Sequence, residues 1–236
     1  LNQEGVNIVT LEDPVEYYLT GVNQSQVNPD VGLTFAAGLR SILRQDPDIV
    51  MVGEIRDNET AELAIHASLT GHIVLSTLHT NSAFGAIPRL IDMKVEPFLL
   101  SSTLNIIVAQ RLVRKVCDKC KKETNLPEKN KKEVLAEIEK IPEQSLPDEL
   151  KDVKKLKFYK GGGCPACNDT GYKGRTGIIE VLDVTDKVEE IVASGSQKGI
   201  KEEARAQGMV SMKQDGILKA VKGVTTIEEV LRVTKE

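Results

Sequence analysis

The sequence predicts an α/β fold organised on a parallel sheet, and two observations carry that prediction. Short apolar runs at Ile8–Leu11 and Ile49–Val52 suit strands covered on both faces, and Ile73–Leu78 reads as the next strand. Helix-patterned stretches with capping and stopping residues separate them, and strands alternating with helices of about ten to fifteen residues build parallel sheets.

The elements follow in order. Tyr17–Asn28 mixes β-formers with Gly21 and Asn23 and reads as a strand or hairpin. Thr34 is an N-cap for a helix to about Arg44, with Phe35, Leu39, Ile42 and Leu43 on one side. Pro47 ends it, because the residue before a proline avoids helical geometry. Asp57 caps a helix from about Asn58 to Thr70, which Gly71 stops. Ala83–Met93 is helical in pattern, with a start or a kink at Pro88. The longest apolar run, Ile106–Ala109, suits a core helix or strand. A Lys-, Glu- and Pro-rich segment follows Arg114, with a short helix over Lys131–Lys140. Gly161–Pro165 marks a tight turn, Ile178–Val184 a strand, and three or four short helices follow Asp186. Thr226 and Glu229 offer a capping box for the last of them. The expected regions are 1–114 for the sheet core, 115–175 around the cysteines, and 176–236 for a C-terminal strand and helices.

Composition narrows the function. With 236 residues and 40% apolar, the chain can bury a core, but aromatics are 3% and Trp is absent. Few platforms exist for stacking bases. A net charge of −4, from 31 basic and 35 acidic residues, gives no general pull toward nucleic acid or anionic lipid. Arg111–Lys122, with six Lys or Arg, reads as a solvated face beside a metal site. No apolar run approaches the roughly 20 residues that span a bilayer, and none reads as a signal peptide. The expected location is therefore the cytoplasm. Leu1 is not Met and a strand pattern follows almost at once, so the chain is expected to be a piece of a longer protein.

All four cysteines fall in two pairs, Cys117-x2-Cys120 and Cys164-x2-Cys167, with 43 residues between. Each pair puts two thiolates on one knuckle, and two knuckles supply the four soft ligands of tetrahedral Zn²⁺. Disulfides are disfavoured in a reducing compartment, and an iron–sulfur cluster is the minor alternative. With four protein ligands the site is structural, since no position stays open for water.

Four segments carry candidate chemistry. Thr10–Glu16 ends a strand in Glu12, Asp13 and Glu16, and sites in α/β sheets form beyond the carboxyl ends of strands. Arg40 and Arg44, four apart, share a helix face and suit phosphate, or alternatively ion pairs with Asp46 or Asp48. Ile49–Asp57 is four apolar strand residues followed by Glu54 and Arg56, the shape of a Walker B element that helps hold Mg²⁺ or orient water. His72 and His79 bracket one strand, roughly 20 Å apart, too far to share a metal. His79 stands with Thr77, Thr80 and Asn81 as a polar sensor of nucleotide state, whereas His66 reads as a core residue.

Together these segments resemble the type II secretion and type IV pilus-assembly ATPases of the RecA-like P-loop superfamily, along essentially the whole chain. Thr10–Glu16 resembles the family's Asp box, Leu39–Asp57 its run through Walker B, and Gly71–Asn81 its His box. The paired knuckles resemble the zinc subdomain of the assembly members. The resemblance implies a RecA-like, mostly parallel sheet with flanking helices, a small zinc-knuckle subdomain and a C-terminal helical subdomain. It implies ATP and Mg²⁺ beside Zn²⁺, with Glu12 as general base, Glu54 near Mg²⁺, His72 and His79 sensing nucleotide, and Arg40, Arg44 or Arg56 near phosphate. Asp13 and Glu16 complete the acidic set. It further implies a homo-hexamer at the inner face of the cell membrane, acting on a membrane platform protein. No stretch matches G-x4-G-K-[ST]. The phosphate loop is expected before Leu1, this chain alone is expected to be inactive, and a sheet edge is expected to be exposed. The rival readings are a zinc-stabilised interaction module without catalysis, and another RecA-like motor of the retraction or DNA-transport type.

Overall fold

The computed structural model describes residues 1–196 and 198–235, with all their side chains except those of Glu149 and Lys154. Along the chain run β1 (Ile8–Glu12), β2 (Val22–Gln26), α1 (Phe35–Ile42), β3 (Ile49–Val52), α2 (Asn58–Leu69), β4 (Ile73–Ser76), α3 (Ala86–Asp92) and α4 (Pro97–Thr103). Then come β5 (Ile106–Val116), β6 (Lys121–Thr124), α5 (Glu128–Ile138), α6 (Asp148–Lys151), β7 (Phe158–Gly161), β8 (Tyr172–Asp183) and α7 (Asp186–Ala193). Three helices follow, α8 (Ile200–Ala206), α9 (Met212–Val221) and α10 (Ile227–Val233). They divide into two compact units: Leu1–Thr80, Gly85–Asn105 and Val184–Lys198, and then Asn81–Phe84, Ile106–Asp183 and Gly199–Glu236.

The first unit is built on a four-stranded, all-parallel sheet in the order β2-β1-β3-β4. Every residue of central β1 is buried, as its continuous apolar run requires. Tyr17–Asn28 is not a hairpin: the chain loops back after Glu12 and β2 pairs parallel to β1, with Ile8 opposite Val22 and Glu12 opposite Gln26. β2 is an edge strand, and its polar Asn23, Gln24, Ser25 and Gln26 suit that place. β4 forms the other edge, with Ile73 and Leu75 nearly half exposed.

Caps fix the helices as expected. The Thr34 side chain accepts from Ala37 N, and that of Asp57 from Thr60 N. Pro88 sits in the first turn of α3, where a missing N–H removes no intrahelical bond. His66 is exposed on α2, while Ala64, Ile65 and Ala67 take the buried face, so it is not a core residue.

The second unit pairs β5 with β8 antiparallel, and β6 with β7. Ile106–Ala109 is not core: β5 alternates, leaving Ile106 and Val108 more than half exposed while Val113 and Val116 are buried further along. Val134, Ile138, Phe158, Ile217 and Ile227 form its largest apolar cluster. The basic stretch after Arg111 is not simply solvated. Arg114 pairs with Glu229, and Lys121 Nζ donates to Gly223 O. Glu229 is 1% exposed, and both its oxygens are taken by Arg114 and Arg232. Only the Thr226 half of the expected capping box therefore forms, whereas Ser211 and Gln214 make a complete one on α9.

Candidate active site and metal centre

In the first unit, Glu12 ends β1, Glu54 follows β3 and His79 follows β4. Three neighbouring parallel strands thus release these side chains at the same end of the sheet, the end where α/β folds place ligands. The backbone holds them there. Gly53 N donates to Leu11 O at 2.7 Å, Thr77 Oγ1 donates to Gly53 O at 2.6 Å, and Ile55 N donates to Thr77 O at 3.0 Å. A Cβ on residue 53 would lie 3.0 Å from Leu11 O and 3.3 Å from Glu12 Cα, so glycine is what lets the Glu54 turn close against the end of β1.

Glu54 is the hub. One oxygen lies 2.7 Å from His79 Nε2, and the other accepts from the Arg56 guanidinium. Arg56 also reaches Asp13 at 3.6 Å. The Arg56 contact holds the Glu54 carboxyl below the usual carboxylate range, against the effect of burial and with help from His79. Glu54 itself is 12% exposed, but its partners His79 and Arg56 are 81% and 58% exposed. The buried acid is therefore wired to two side chains that a ligand arriving from solvent would meet first.

Glu12 is buried, and its Oε1 accepts from Thr10 Oγ1 at 2.5 Å and from Gln24 Nε2 at 2.9 Å. Gln24 lacked any motif in the sequence; only the parallel register, which sets it opposite Thr10, reveals it. Glu16 is exposed on the following loop. His72 closes the end of α2, its Nδ1 2.9 Å from Ala67 O and 3.1 Å from Thr70 Oγ1. Arg40 pairs with Glu59, not with Asp46 or Asp48, and Arg44 donates to Arg40 O. Neither arginine is joined to Glu54 among the described contacts.

In the second unit the four cysteine sulfurs lie within 4.8 Å of one another. Cys117–Cys164 and Cys120–Cys167 are separated by 3.9 Å and Cys164–Cys167 by 3.7 Å. Zn–S bonds of about 2.3 Å in a tetrahedron put sulfurs about 3.8 Å apart, so the set fits that ion. Burial pushes the Cys120 thiol up to about 11. At Cys167 burial also raises it, but N–H groups of Cys164 and Gly171 outweigh this and bring it to about 7. A cavity of about 1020 Å³ in this unit contains none of Glu12, Glu54 or His79. Two of its cations, Lys213 and Arg232, are paired with Glu133 and Glu229.

Comparison with known proteins shows the family of the chain. A family model described as "Type II/IV secretion system protein" matches residues 1–232. The chain is 49% identical to the type II secretion system ATPase E of Vibrio cholerae, over all of this chain and 44% of that protein. It is 51% identical to the type IV pilus assembly ATPase PilB of Thermus thermophilus, over 98% of this chain and 25% of that one. The chain thus spans less than half the length of these relatives. Among solved structures, the pilus retraction motor PilT with bound ADP superposes with a TM-score of 0.67 at 26% identity, over all of this chain and 55% of that one.

Proposed function

The chain belongs to the type II/IV secretion system protein family, and we propose that it carries the hydrolytic carboxylates of an ATP-driven motor for protein secretion or pilus assembly. The observation that carries the reading is Glu12, Glu54 and His79 at the ends of three adjacent parallel strands, with Glu54 bonded to both His79 and Arg56. Glu12 accepts the proton of the attacking water. Glu54, held ionised by Arg56, would help hold Mg²⁺, whose chemistry is to neutralise charge on the transferred phosphoryl group. His79 and Arg56, exposed and tied to Glu54, report nucleotide to it. Asp13 steadies Arg56. His72, Arg40 and Arg44 act less directly, at the end of α2, on α1, and just past the end of α1, which stops at Ile42 short of Arg44.

No G-x4-G-K-[ST] stretch occurs in these 236 residues, and the chain spans 44% and 25% of two relatives' lengths; a phosphate cradle is what the motor would need besides these carboxylates. The four cysteines hold a structural Zn²⁺ that stabilises a knuckle subdomain beside the C-terminal helices. Assembly and secretion members are favoured over retraction motors: relatives of the former kind are about half identical in sequence, against 26% for PilT. The working form is a homo-hexamer in the cytoplasm, held at the membrane through a platform protein. No described helix is long and apolar enough to cross a membrane. The test is steady-state ATP hydrolysis by the full-length protein and its Glu12→Gln variant. Loss of about a hundredfold or more in turnover is expected; an unchanged rate would remove Glu12 as the base, and no hydrolysis by the unsubstituted protein would favour a zinc-stabilised interaction module.

A further inference from the structure

We propose that Gln24 is the positioning residue that orients Glu12, and that it makes this orientation depend on the folded loop between β1 and β2; the proposal rests on the reading of Glu12 as general base. The side-chain amide of Gln24 has a forced orientation. Its Oε1 accepts from Leu19 N at 2.7 Å, so that end must be the oxygen. Its Nε2 donates to Tyr17 O at 3.0 Å and to Glu12 Oε1 at 2.9 Å. A flipped amide would set oxygen against both acceptors and orphan Leu19 N. Only the donor end can face the carboxylate.

Thr10 Oγ1 donates to the same oxygen of Glu12. Two donors from neighbouring strands therefore converge on Oε1, and the role assigned to Oε2, which neither of them occupies, is to take the proton of the incoming water. The parallel register produces this: Thr10 lies opposite Gln24, and Glu12 is two residues further along the same face of β1. The other hydrogen bonds of the amide are to backbone groups of Tyr17 and Leu19, residues that are 81% and 56% exposed. The loop that carries them is thereby coupled to the base through one side chain. Gln26, also on β2 and opposite Glu12 in the ladder, accepts from Val15 N of the same loop at 3.3 Å, and among the described hydrogen bonds none joins it to the Glu12 carboxylate.

The experiment measures kcat and KM for ATP in the full-length protein carrying Gln24→Leu, Gln26→Leu, Glu12→Gln, or Glu12→Gln with Gln24→Leu. Misorienting a general base costs about ten- to a hundredfold. The proposal predicts that loss in kcat for Gln24→Leu with KM unchanged, near-normal kcat for Gln26→Leu, and no further loss on adding Gln24→Leu to Glu12→Gln. Equal effects of the two β2 substitutions, or a full additional loss in the Glu12→Gln background, would overturn it and leave the base reading intact. Absence of hydrolysis in the unsubstituted protein, or full hydrolysis by Glu12→Gln, would remove the base reading and this proposal with it.

Discussion

Cys117 and Cys120 sit on one tight turn and Cys164 and Cys167 on another, so each half of the four-cysteine cluster is specified within four residues of chain. The Glu54 cluster is different. Its hub and His79 are 25 residues apart, and nothing local brings them together; two parallel strands and the short bonds among Gly53, Ile55 and Thr77 do. The first kind of site is written in spacing and survives as long as its turns fold. The second is written in topology and fails when a strand end shifts by a fraction of an ångström.

The largest expected effect breaks the metal side of this comparison. Chelation, or Cys167→Ser, should cost about 5 kcal/mol or more, because four-cysteine zinc contributes folding energy outright. Hydrogen exchange should show protection lost around residues 115–175 while β1 and β3 keep theirs. Equal protection with and without chelator would contradict a structural zinc.

Next in size is Glu229, which ties α10 to β5 across 115 residues of chain. Contact with Arg114 first, then Arg232, opposed by burial, holds its carboxyl far below the ordinary carboxylate range. A depressed value contributes stability that is complete above the unfolded value, near 4.5, and is lost as pH falls toward the folded one. Glu229→Gln should destabilise by about 2–3 kcal/mol at neutral pH, a figure kept low because Arg114 and Arg232 are about half exposed and water can solvate them. The penalty should shrink in acid, read from thermal melts at pH 7 and pH 3. A penalty that grew in acid would reverse the assignment.

Gly53→Ala sharpens the topological side. The added methyl meets backbone of Leu11 and Glu12, and backbone cannot step aside as a flexible side chain would. Stability should fall by about 1–2 kcal/mol, and hydrolysis by the full-length protein by more than tenfold, since base and hub are both displaced. Arg40→Ala is the smallest effect. Its pair with Glu59 is about half exposed on both sides, so melting should move by less than about 0.5 kcal/mol.

Much of the first unit could be read from the sequence because its signals are local. Thr34 and Asp57 are caps by chemistry, and β1 and β3 are apolar throughout because both faces are covered. What escaped was set by pairing. β2 is polar and glycine-flanked, so only its ladder with β1 shows it as a parallel strand rather than a hairpin. Ile106–Ala109 looked like core because four apolar residues in a row conceal the alternation that exposes every second one. His66 reads as core because a lone histidine on a helix is commonly a satisfied interior residue, yet α2 turns it outward. Of the candidate site residues, Glu12, Glu54 and His79 came from strand-end position and family resemblance together. Gln24 could not be found that way, since its partners lie 5, 7 and 12 residues off. Ser211 and Gln214, three residues apart, carry a capping signature that is local and legible in the sequence alone.

The most direct test of the division between a chemical and a structural centre is phosphate release by the full-length Glu54→Gln protein, with zinc content and melting temperature recorded on the same sample. The account predicts that hydrolysis is lost while zinc stays bound and melting is nearly unchanged. Hydrolysis at the unsubstituted rate would remove Glu54 from the chemistry and with it the claim that the strand ends form the active site.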